Sequence, residues 1–248
     1  MTRKIRLDRL LVERGLVESR ERAQALILAG QVLVNGKKAA KPGQTVAPDA
    51  DLKVAGPALK YASRAGPKLE AALDRFSLDV RGKTCLDVGA STGGFTDCLL
   101  QRGAARVYAV DVGTGQLDWK LRQDSRVVVR ERVNARYLSW ETIGEAVDLV
   151  TCDVSFISVT LILPALAQFL RGESHMMVLA KPQFEAGREQ VGKGGIVRDP
   201  EVHKQVVEKV SRAILDLGFR HVEWMESPVP GAEGNREFLV HGWEFEKK

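Results

Sequence analysis

Cysteine is scarce in this sequence, and its arrangement excludes two kinds of covalently or metal-stabilised domain. The 248 residues include three cysteines. An odd number of cysteines without Cys-x-x-Cys spacing argues against a disulfide framework and against a cysteine-based zinc site. We therefore predict that Cys85, Cys98 and Cys152 are reduced core residues and that the protein holds no metal.

The sequence also lacks a long apolar run and a secretory leader. The best apolar stretch, 159–170, is shorter than the roughly 18 residues that a membrane-spanning helix needs, and it contains Pro164 and Gln168. Residues 1–9 are mostly basic or polar, and no apolar segment with a cleavage site follows them. These absences predict a cytoplasmic protein that does not cross a membrane.

Positive charge is concentrated in the first quarter of an otherwise ordinary globular composition. Hydrophobic residues make up 44% of the chain and charged residues 28%, which leaves enough apolar material for a buried core. Residues 1–60 contain 12 Lys or Arg against 6 Asp or Glu, whereas the remaining residues contain 25 against 26. This asymmetry indicates an appended module that binds a polyanion. Charge alone leaves a solvated basic face as the alternative.

The local pattern within this basic segment predicts two short helices and a hairpin. Leucines recur at helical spacing over 7–11, and a second helix is predicted from about 19 to a stop at Gly30. A short apolar strand at 32–34 leads into Asn35-Gly36, the dipeptide that best fits a two-residue hairpin turn. Two lysines follow this turn, and we therefore expect a hairpin with a basic tip.

The segment from Arg6-Leu-Asp-Arg-Leu-Leu11 to Ala29-Gly-Gln-Val-Leu-Val-Asn-Gly36 resembles the αL RNA-binding domain of a ribosomal small-subunit protein, pseudouridine synthases and tyrosyl-tRNA synthetases. The resemblance implies a small α+β module that grips folded RNA by its shape and its phosphates. Gly56-Pro57 interrupts the pattern, and we predict an RNA-binding domain over 1–58 and a second domain over 59–248. The expected RNA contacts of the first domain are Arg3, Lys4, Arg6, Arg9, Arg20, Arg22, Lys37 and Lys38.

Short apolar segments alternate with helical patterns after residue 84, which is typical of a parallel sheet covered by helices on both faces. The fold class predicted for this part is α/β, a doubly wound Rossmann-like sheet. The predicted strands are 85–88, 107–110, 127–129, 149–152 and 176–180, with 222–226 and 237–240 as a terminal pair. The predicted helices are 94–102, 159–170 and 200–217.

A glycine-rich turn, Asp87-Val-Gly-Ala-Ser-Thr-Gly-Gly-Phe95, follows the first of these strands. Its glycines allow a sharp turn and a close approach to a ligand. Asp111 ends the next strand, where a carboxylate can accept hydrogen bonds from a ribose diol, and we infer a nucleoside ligand. The candidate cofactor residues of these two loops are Asp87, Gly89, Ala90, Ser91, Thr92, Gly93, Gly94, Asp111 and Val112.

The spacing of this turn favours S-adenosylmethionine over a dinucleotide. The turn lacks the Gly-x-Gly-x-x-Gly spacing that seats a pyrophosphate. Asp87 would repel a phosphate but tolerate the cationic parts of a methyl donor. A purely structural turn and a nicotinamide site are the alternatives.

The same turn also matches the nucleophile elbow of α/β hydrolases, Gly-x-Ser-x-Gly, with Ser91 at its centre. A hydrolase needs a histidine and an acid on later strand ends. His221 and His241 follow, but neither lies in a persuasive loop beside a carboxylate. We therefore prefer the methyl-donor interpretation.

A second glycine-rich segment, 187–193, matches a phosphate loop except that Gly194 replaces the Ser or Thr that binds Mg²⁺. We expect a mobile lid there, with Arg188, Lys193 and Arg198 reaching toward RNA. An inert surface loop is the alternative.

An acid and an amine leave neighbouring strands at Asp153 and Lys181. Lys181, buried beside a cofactor, can lose its proton and act as a base, with Asp153 orienting it and Lys68 sharing the local charge. A structural ion pair is the ordinary alternative.

Six motifs spread over most of the chain together resemble the TlyA family, also called hemolysin A. They are Ser63-Arg-Ala-Gly-Pro-Lys68, Asp87-Val-Gly-Ala-Ser-Thr-Gly-Gly-Phe-Thr96, Asp111-Val-Gly-Thr-Gly-Gln-Leu117, Asp153-Val-Ser-Phe-Ile-Ser158, Lys181-Pro-Gln-Phe-Glu185 and Gly234-Asn-Arg-Glu237. The resemblance implies a catalytic half similar to the FtsJ type of ribose 2′-O-methyltransferase. The catalytic tetrad of that type falls on Lys68, Asp153, Lys181 and Glu237.

This resemblance also implies S-adenosylmethionine as cofactor and ribosomal RNA, methylated at a cytidine ribose, as substrate. Asn134 is then expected near the adenine and Asp153 at the cofactor, while Arg64 in the linker joins the RNA contacts. Val154-Ser155 departs from the Pro-Pro of amine-methylating relatives, which favours oxygen as the methyl acceptor. A membrane-active hemolysin-like protein, a non-catalytic rRNA-binding protein and a base-modifying methyltransferase are the alternatives. The choice between one ribosomal subunit and both stays open.

Overall fold

The computed structural model describes residues 4–17, 19–28, 30–54, 60–231 and 234–246. The predicted RNA contact Arg3 lies outside these described residues. The chain forms two compact units, Met1–Ala58 and Leu59–Lys248, called here the first and the second unit.

The first unit is a small α+β fold built around two amphipathic helices. Leu7, Leu10 and Leu11 from one helix and Ala23 and Ile27 from the other are buried in a common core, since helical spacing places them on one face of each helix. The elements are β1 (Ile5–Arg6), α1 (Leu7–Glu13), α2 (Arg20–Leu28), β2 (Val32–Val34), β3 (Lys37–Lys38), β4 (Thr45–Val46) and β5 (Leu52–Val54).

The strands of the first unit form two small antiparallel sheets, β1 with β4 and β3-β2-β5. Asn35 (φ 50°) and Gly36 (φ 76°) join β2 to β3, which are the positive φ angles of a two-residue hairpin turn. The predicted hairpin and its basic tip at Lys37–Lys38 are therefore confirmed.

The second unit is a seven-stranded, mostly parallel sheet in the order β11-β12-β10-β9-β6-β7-β8. Strands β6 to β10 are parallel to one another. At one edge, β12 pairs antiparallel with β10, and β11 pairs antiparallel with β12. This arrangement confirms the predicted Rossmann-like sheet. Its strands are β6 (Thr84–Val88), β7 (Arg106–Val110), β8 (Val127–Arg130), β9 (Leu149–Cys152), β10 (His175–Ala180), β11 (Phe219–Glu226) and β12 (Phe238–Phe245).

Helices cover both faces of this sheet. One core contains Leu69, Leu99 and Leu121 against one face, and a second contains Leu163 and Val206 against the other. Because both faces are covered, β9 is buried at every position. The helices are α3 (Gly66–Arg75), α4 (Gly94–Gln101), α5 (Trp119–Gln123), α6 (Trp140–Ile143), α7 (Leu163–Leu166), α8 (Pro182–Glu185) and α9 (Pro200–Leu217).

The single helix predicted over 159–170 is wrong. The segment forms a 3-10 turn at Val159–Leu161, the short helix α7, and a second 3-10 turn at Ala167–Phe169. Pro164 explains the interruption, since it has no N–H to donate and therefore occupies the first turn of a new helix. In the part of the chain that the structure describes, no helix has the length and apolar character to cross a membrane.

Candidate functional site

Two connected clefts lie at the carboxyl ends of four neighbouring parallel strands, β10, β9, β6 and β7. The larger cleft has a volume of about 600 Å³ and the smaller one about 440 Å³. Gly89, Ser91, Asp153, Ser155 and Phe156 line both clefts. Ligands of open α/β sheets bind at this edge, and the predicted strand-end residues converge there.

The glycine turn forms the shared floor of the two clefts. Gly89 has a φ of 84°, and a Cβ built on it would lie 2.4 Å from the backbone oxygen of Asp153. A side chain at this position would therefore separate β6 from β9, in addition to the strain of the left-handed backbone. Ala90, Thr92 and Gly94 line the larger cleft, while Gly93 (φ 96°) caps α4 beside it.

Asp87 does not line either cleft, although the sequence suggested a cofactor contact. Its carboxylate has no exposed surface and accepts hydrogen bonds from Thr96 Oγ1 (2.6 Å) and Thr151 Oγ1 (2.8 Å). Burial raises the pKa of Asp87 to about 6, and the two threonine hydroxyls oppose that rise. Asp87 links β6 to α4 and β9 beneath the glycine turn. It therefore stabilises the site without lining it.

Asp111 presents its carboxylate to the smaller cleft in a fixed orientation. Its Oδ2 accepts a hydrogen bond from the Ser91 backbone N–H (2.8 Å), and its Oδ1 accepts one from the Gly113 N–H (2.7 Å). Each carboxylate oxygen has a second lone pair, and the group can therefore also accept hydrogen bonds from two neighbouring hydroxyls.

The rest of the smaller cleft is an apolar slot with one amide group. Asn134 Oδ1 accepts a hydrogen bond from the Arg136 N–H (3.1 Å), which caps the following 3-10 turn and holds the side chain in place. The apolar walls are contributed by Val110, Val112, Val133, Ile157 and Ile162. A carboxylate, an amide and apolar walls together suit a nucleoside.

The larger cleft contains two ion pairs made by the four predicted catalytic residues. Lys181 Nζ lies 2.6 Å from Asp153 Oδ1, although the two groups are not aligned as a hydrogen bond. Lys181 Nζ instead donates a hydrogen bond to Ser155 Oγ at 2.9 Å. Lys68 and Glu237 form the second pair, with only 5% and 3% of their surfaces exposed. All four side chains line one cleft.

Several residues of this cleft were missed by the sequence reasoning. Phe156 adopts a φ of 67° and is 90% exposed, and its ring lies 5.3 Å from that of Phe184. Gln183 lines the cleft, and its Oε1 is buried without a hydrogen-bond partner among the described residues. These residues flank Asp153 and Lys181 within the quoted motifs, and that adjacency was the available signal.

The glycine-rich segment after α8 contributes to the larger cleft through Val191 and Gly195, whereas Arg188 and Lys193 are exposed and do not line it. No helix begins directly after Lys193, as a phosphate loop would require, since the next helix starts at Pro200. Asn235, nearly fully buried, donates to the Gly195 carbonyl (2.8 Å) and accepts from the Val197 N–H (2.9 Å). This segment is therefore tied to the cleft wall. Arg64 of the linker also lines the larger cleft.

The hydrolase interpretation finds no support in the geometry. His241 is buried in a ring stack with His175 and Trp243, and His221 pairs with Glu244. Neither histidine lines a cleft with Ser91, and neither is therefore placed to activate the serine hydroxyl.

Most of the predicted RNA contacts of the first unit that the structure describes are exposed. Arg6 and Arg20 are about half exposed, and both donate to the buried carboxylate of Asp8. Arg22 is partly buried. Among the predicted contacts, the exposed residues are Lys4, Arg6, Arg9, Arg20, Lys37 and Lys38.

Comparisons with known proteins match both units. Residues 61–243 match the FtsJ-like methyltransferase family, and residues 5–52 match the S4 domain. The chain is 52% identical over 241 residues to YqxC of Bacillus subtilis, a candidate rRNA methyltransferase by name, covering 97% of this chain and 86% of that protein. It is 48% identical over 241 residues to the 16S/23S rRNA (cytidine-2′-O)-methyltransferase TlyA of Mycobacterium tuberculosis, covering 97% and 90%.

A solved structure agrees with these matches. The fold is similar to that of a candidate hemolysin from Streptococcus thermophilus, with a TM-score of 0.74 and 45% sequence identity, covering all of this chain and 90% of that one.

Proposed function

Because this chain belongs to the FtsJ-like methyltransferases and to the TlyA family, we propose that it methylates a cytidine ribose of ribosomal RNA at the 2′-oxygen, with S-adenosylmethionine as donor. The methyltransferase fold implies a donor of this type. The observation that carries the proposal is the convergence of Lys68, Asp153, Lys181 and Glu237 in one cleft, directly beside a cleft suited to a nucleoside.

The smaller cleft fits the nucleoside part of the donor. Asp111 would accept hydrogen bonds from the ribose hydroxyls, and Asn134 would lie beside the adenine between apolar walls. The glycine turn would lie beside the rest of the donor, with Gly89 and Ser91 lining both clefts. When bound, S-adenosylmethionine supplies a methyl group attached to a positively charged sulfur.

Lys181 is the residue that we assign as the base. The acceptor ribose must lose the proton of its 2′-hydroxyl as the oxygen forms its new bond to carbon. Lys181 Nζ is held at the cleft wall by Asp153 and Ser155, and it would accept that proton in its neutral form. Its fixed position at the cleft wall supports this assignment.

Lys68 and Glu237 would form the opposite side of the acceptor site. Their pair is nearly fully buried, and removal of either partner would leave an unpaired charge in a dry environment. We therefore assign to this pair the role of positioning the ribose. Orientation of the reacting groups is itself a large part of enzymatic rate enhancement.

The S4 domain in the first unit would hold the RNA. Its exposed arginines and lysines suit phosphate contacts, which give affinity and register without reading sequence. In the second unit Arg64, at the larger cleft, would add a phosphate contact near the reacting ribose. Because ribosomal RNA is the proposed substrate, we expect this protein in the cytoplasm.

The test of the proposal is the position of the transferred methyl group. The protein is incubated with ribosomal RNA and S-adenosylmethionine that carries an isotope-labelled methyl group, and nuclease digests are analysed by mass spectrometry. We expect the label on the ribose of a cytidine. A label on the base, or a label on other nucleosides only, would overturn the proposed chemistry.

A second experiment tests the donor site separately. Asp111→Ala removes the carboxylate of the smaller cleft, and calorimetry should show S-adenosylmethionine binding about 10-fold or more weaker, since a hydrogen bond to a charged group is lost. Asp79→Ala is the matched control, because Asp79 pairs with Arg81 at the surface. An unchanged dissociation constant for Asp111→Ala would reject the ribose-diol role.

A further inference from the structure

Asp8 is a fully buried carboxylate in the first unit that the proposed chemistry does not use. It is the second residue of α1 and has no exposed surface. An ionised carboxylate is costly to bury unless charged or polar donors surround it. The hydrogen-bond donors around Asp8 therefore indicate what the buried charge does.

The Asp8 carboxylate collects the donors of three side chains. Arg6 donates through Nε (3.0 Å) and Nη2 (2.8 Å), while Arg20 Nη2 (3.2 Å) and Gln24 Nε2 (3.0 Å) both reach Oδ2. The Arg9 backbone N–H adds a bond of 2.9 Å to Oδ1. The hydrogen bonds from Arg6 are the largest cause that holds the pKa of Asp8 well below its usual range, and Asp8 therefore stays charged at neutral pH.

The two arginines connect this buried charge to the surface. About half of each side chain is exposed, 50% for Arg6 and 52% for Arg20. The Arg6 guanidinium also lies against Gly43, whose added Cβ would be 3.5 Å from Nη1. A guanidinium has five N–H donors in a rigid fork, and a carboxylate that binds one edge fixes the direction of the others. Each arginine is thus oriented while part of it still faces solvent.

We propose that Asp8 is a positioning residue that holds Arg6 and Arg20 as a preformed pair for two phosphates of folded RNA. This inference rests on the proposed function in one respect, namely that the first unit binds RNA. Preformed side chains lose less conformational entropy on binding, and bidentate guanidinium contacts to phosphate depend on orientation.

Charge and orientation predict opposite results when Asp8 is neutralised, which makes the proposal testable. If the arginines act only as point charges, Asp8→Asn removes a nearby negative charge, and RNA binding becomes tighter or stays the same. If Asp8 orients them, the variant binds more weakly although its net charge is more positive. The opposite signs separate the two roles.

The experiment measures the dissociation constant of the full-length protein for transcribed 23S ribosomal RNA over a series of salt concentrations. For Asp8→Asn we expect binding about 10-fold weaker than wild type, since the two arginines are then no longer held in the direction of their phosphates. The slope of log K against log salt should fall by about 1 to 2, one for each phosphate that an arginine no longer neutralises. Asp49→Asn neutralises an exposed aspartate of the same unit and is expected to bind at least as tightly as wild type.

A second variant, Arg6→Lys, distinguishes weaker RNA binding from a loss of folding. It retains the net charge and the Asp8 carboxylate but cannot make the two-pronged contact, and we expect weaker binding at a temperature where its unfolding curve shows the variant to be fully folded. Binding of Asp8→Asn and Arg6→Lys as tight as wild type would overturn the proposal. If the wild type binds the RNA but transfers no methyl group, the proposed function fails while the Asp8 inference is still decided by these constants. A wild type that binds neither transcribed 23S nor transcribed 16S ribosomal RNA would overturn both.

Discussion

Asp8 in the first unit and Asp87 in the second have no exposed surface, yet their surroundings shift the pKa in opposite directions. Arginine donors lower the pKa of Asp8, whereas burial between two threonines raises that of Asp87 to about 6. The first unit uses its buried charge to orient cations toward solvent. The second unit uses a buried carboxylate to tie three elements beneath a glycine turn. Burial alone therefore does not reveal what a carboxylate does, and the donors around it decide.

The largest expected effect separates the two units by function. Lys181→Ala in the second unit should lower kcat by about 10²- to 10⁴-fold, the usual contribution of a general base, while the dissociation constant for RNA changes less than about twofold. Single-turnover methyl transfer and filter binding measure the two quantities. Lys204→Ala, at an exposed position on α9, is the control. Full turnover by Lys181→Ala would remove Lys181 from the mechanism.

The two aspartates should respond to pH with opposite signs. Because the pKa of Asp87 is raised, the folded state binds a proton at a higher pH than the unfolded state does. The stability that this proton contributes is fully present below about pH 4 and is lost as pH rises through about 6. Relative to wild type, the free energy of unfolding of Asp87→Asn should therefore rise by about 3 kcal/mol between pH 4 and pH 7. This figure corresponds to a shift of about two pKa units at 1.36 kcal/mol each. Urea unfolding at both pH values measures the change.

Asp8→Asn should change the pH dependence of stability in the opposite direction. The pKa of Asp8 is depressed, and its ionised form stabilises the fold above about pH 4, an effect lost as pH falls further. Relative to wild type, Asp8→Asn should therefore lose stability as pH rises from 3 to 6. If both variants shifted in the same direction, the contrast between the units would be wrong.

A buried histidine makes the second unit sensitive to acid. Burial lowers the pKa of His241 to about 3, with neighbouring His175 adding to the effect. The folded state then disfavours a proton that the unfolded chain accepts below about 6.5, and stability falls as pH decreases through that window. His241→Phe should remove about 2 kcal/mol of this loss at pH 5, measured by urea unfolding. His221→Phe, at a half-exposed site, should retain the full pH dependence.

The smallest expected effect compares one glycine from each unit. Gly36 has a φ of 76° with nothing within 4 Å of an added Cβ, and Gly36→Ala should cost about 1 kcal/mol from the backbone alone. Gly89→Ala should cost more, because its Cβ would also collide with the Asp153 backbone. Thermal unfolding measures both variants. Equal costs would show that the β6 to β9 contact relaxes without penalty.

Features that depend on neighbours along the chain were predicted well from the sequence. The hairpin at Asn35-Gly36 and the positions of the strands along the second unit follow from turn chemistry and from alternating apolar segments. The single helix over 159–170 was wrong because its apolar spacing outweighed Pro164 in the prediction. Apolar spacing indicates which residues favour a helix, but a single proline within that segment interrupts the helix.

Residue types and their spacing alone therefore determined the Rossmann-like sheet and the basic first unit, because strand ends and glycine turns are recognisable in local sequence. The candidate tetrad came from the resemblance to a known family. Only the tertiary structure decided which groups meet. Lys68 and Glu237 are 169 positions apart and form one buried pair, while Asp87 turns away from the cleft toward two threonines. The physical reason is that a buried polar side chain takes whichever partner the packing brings within hydrogen-bond distance.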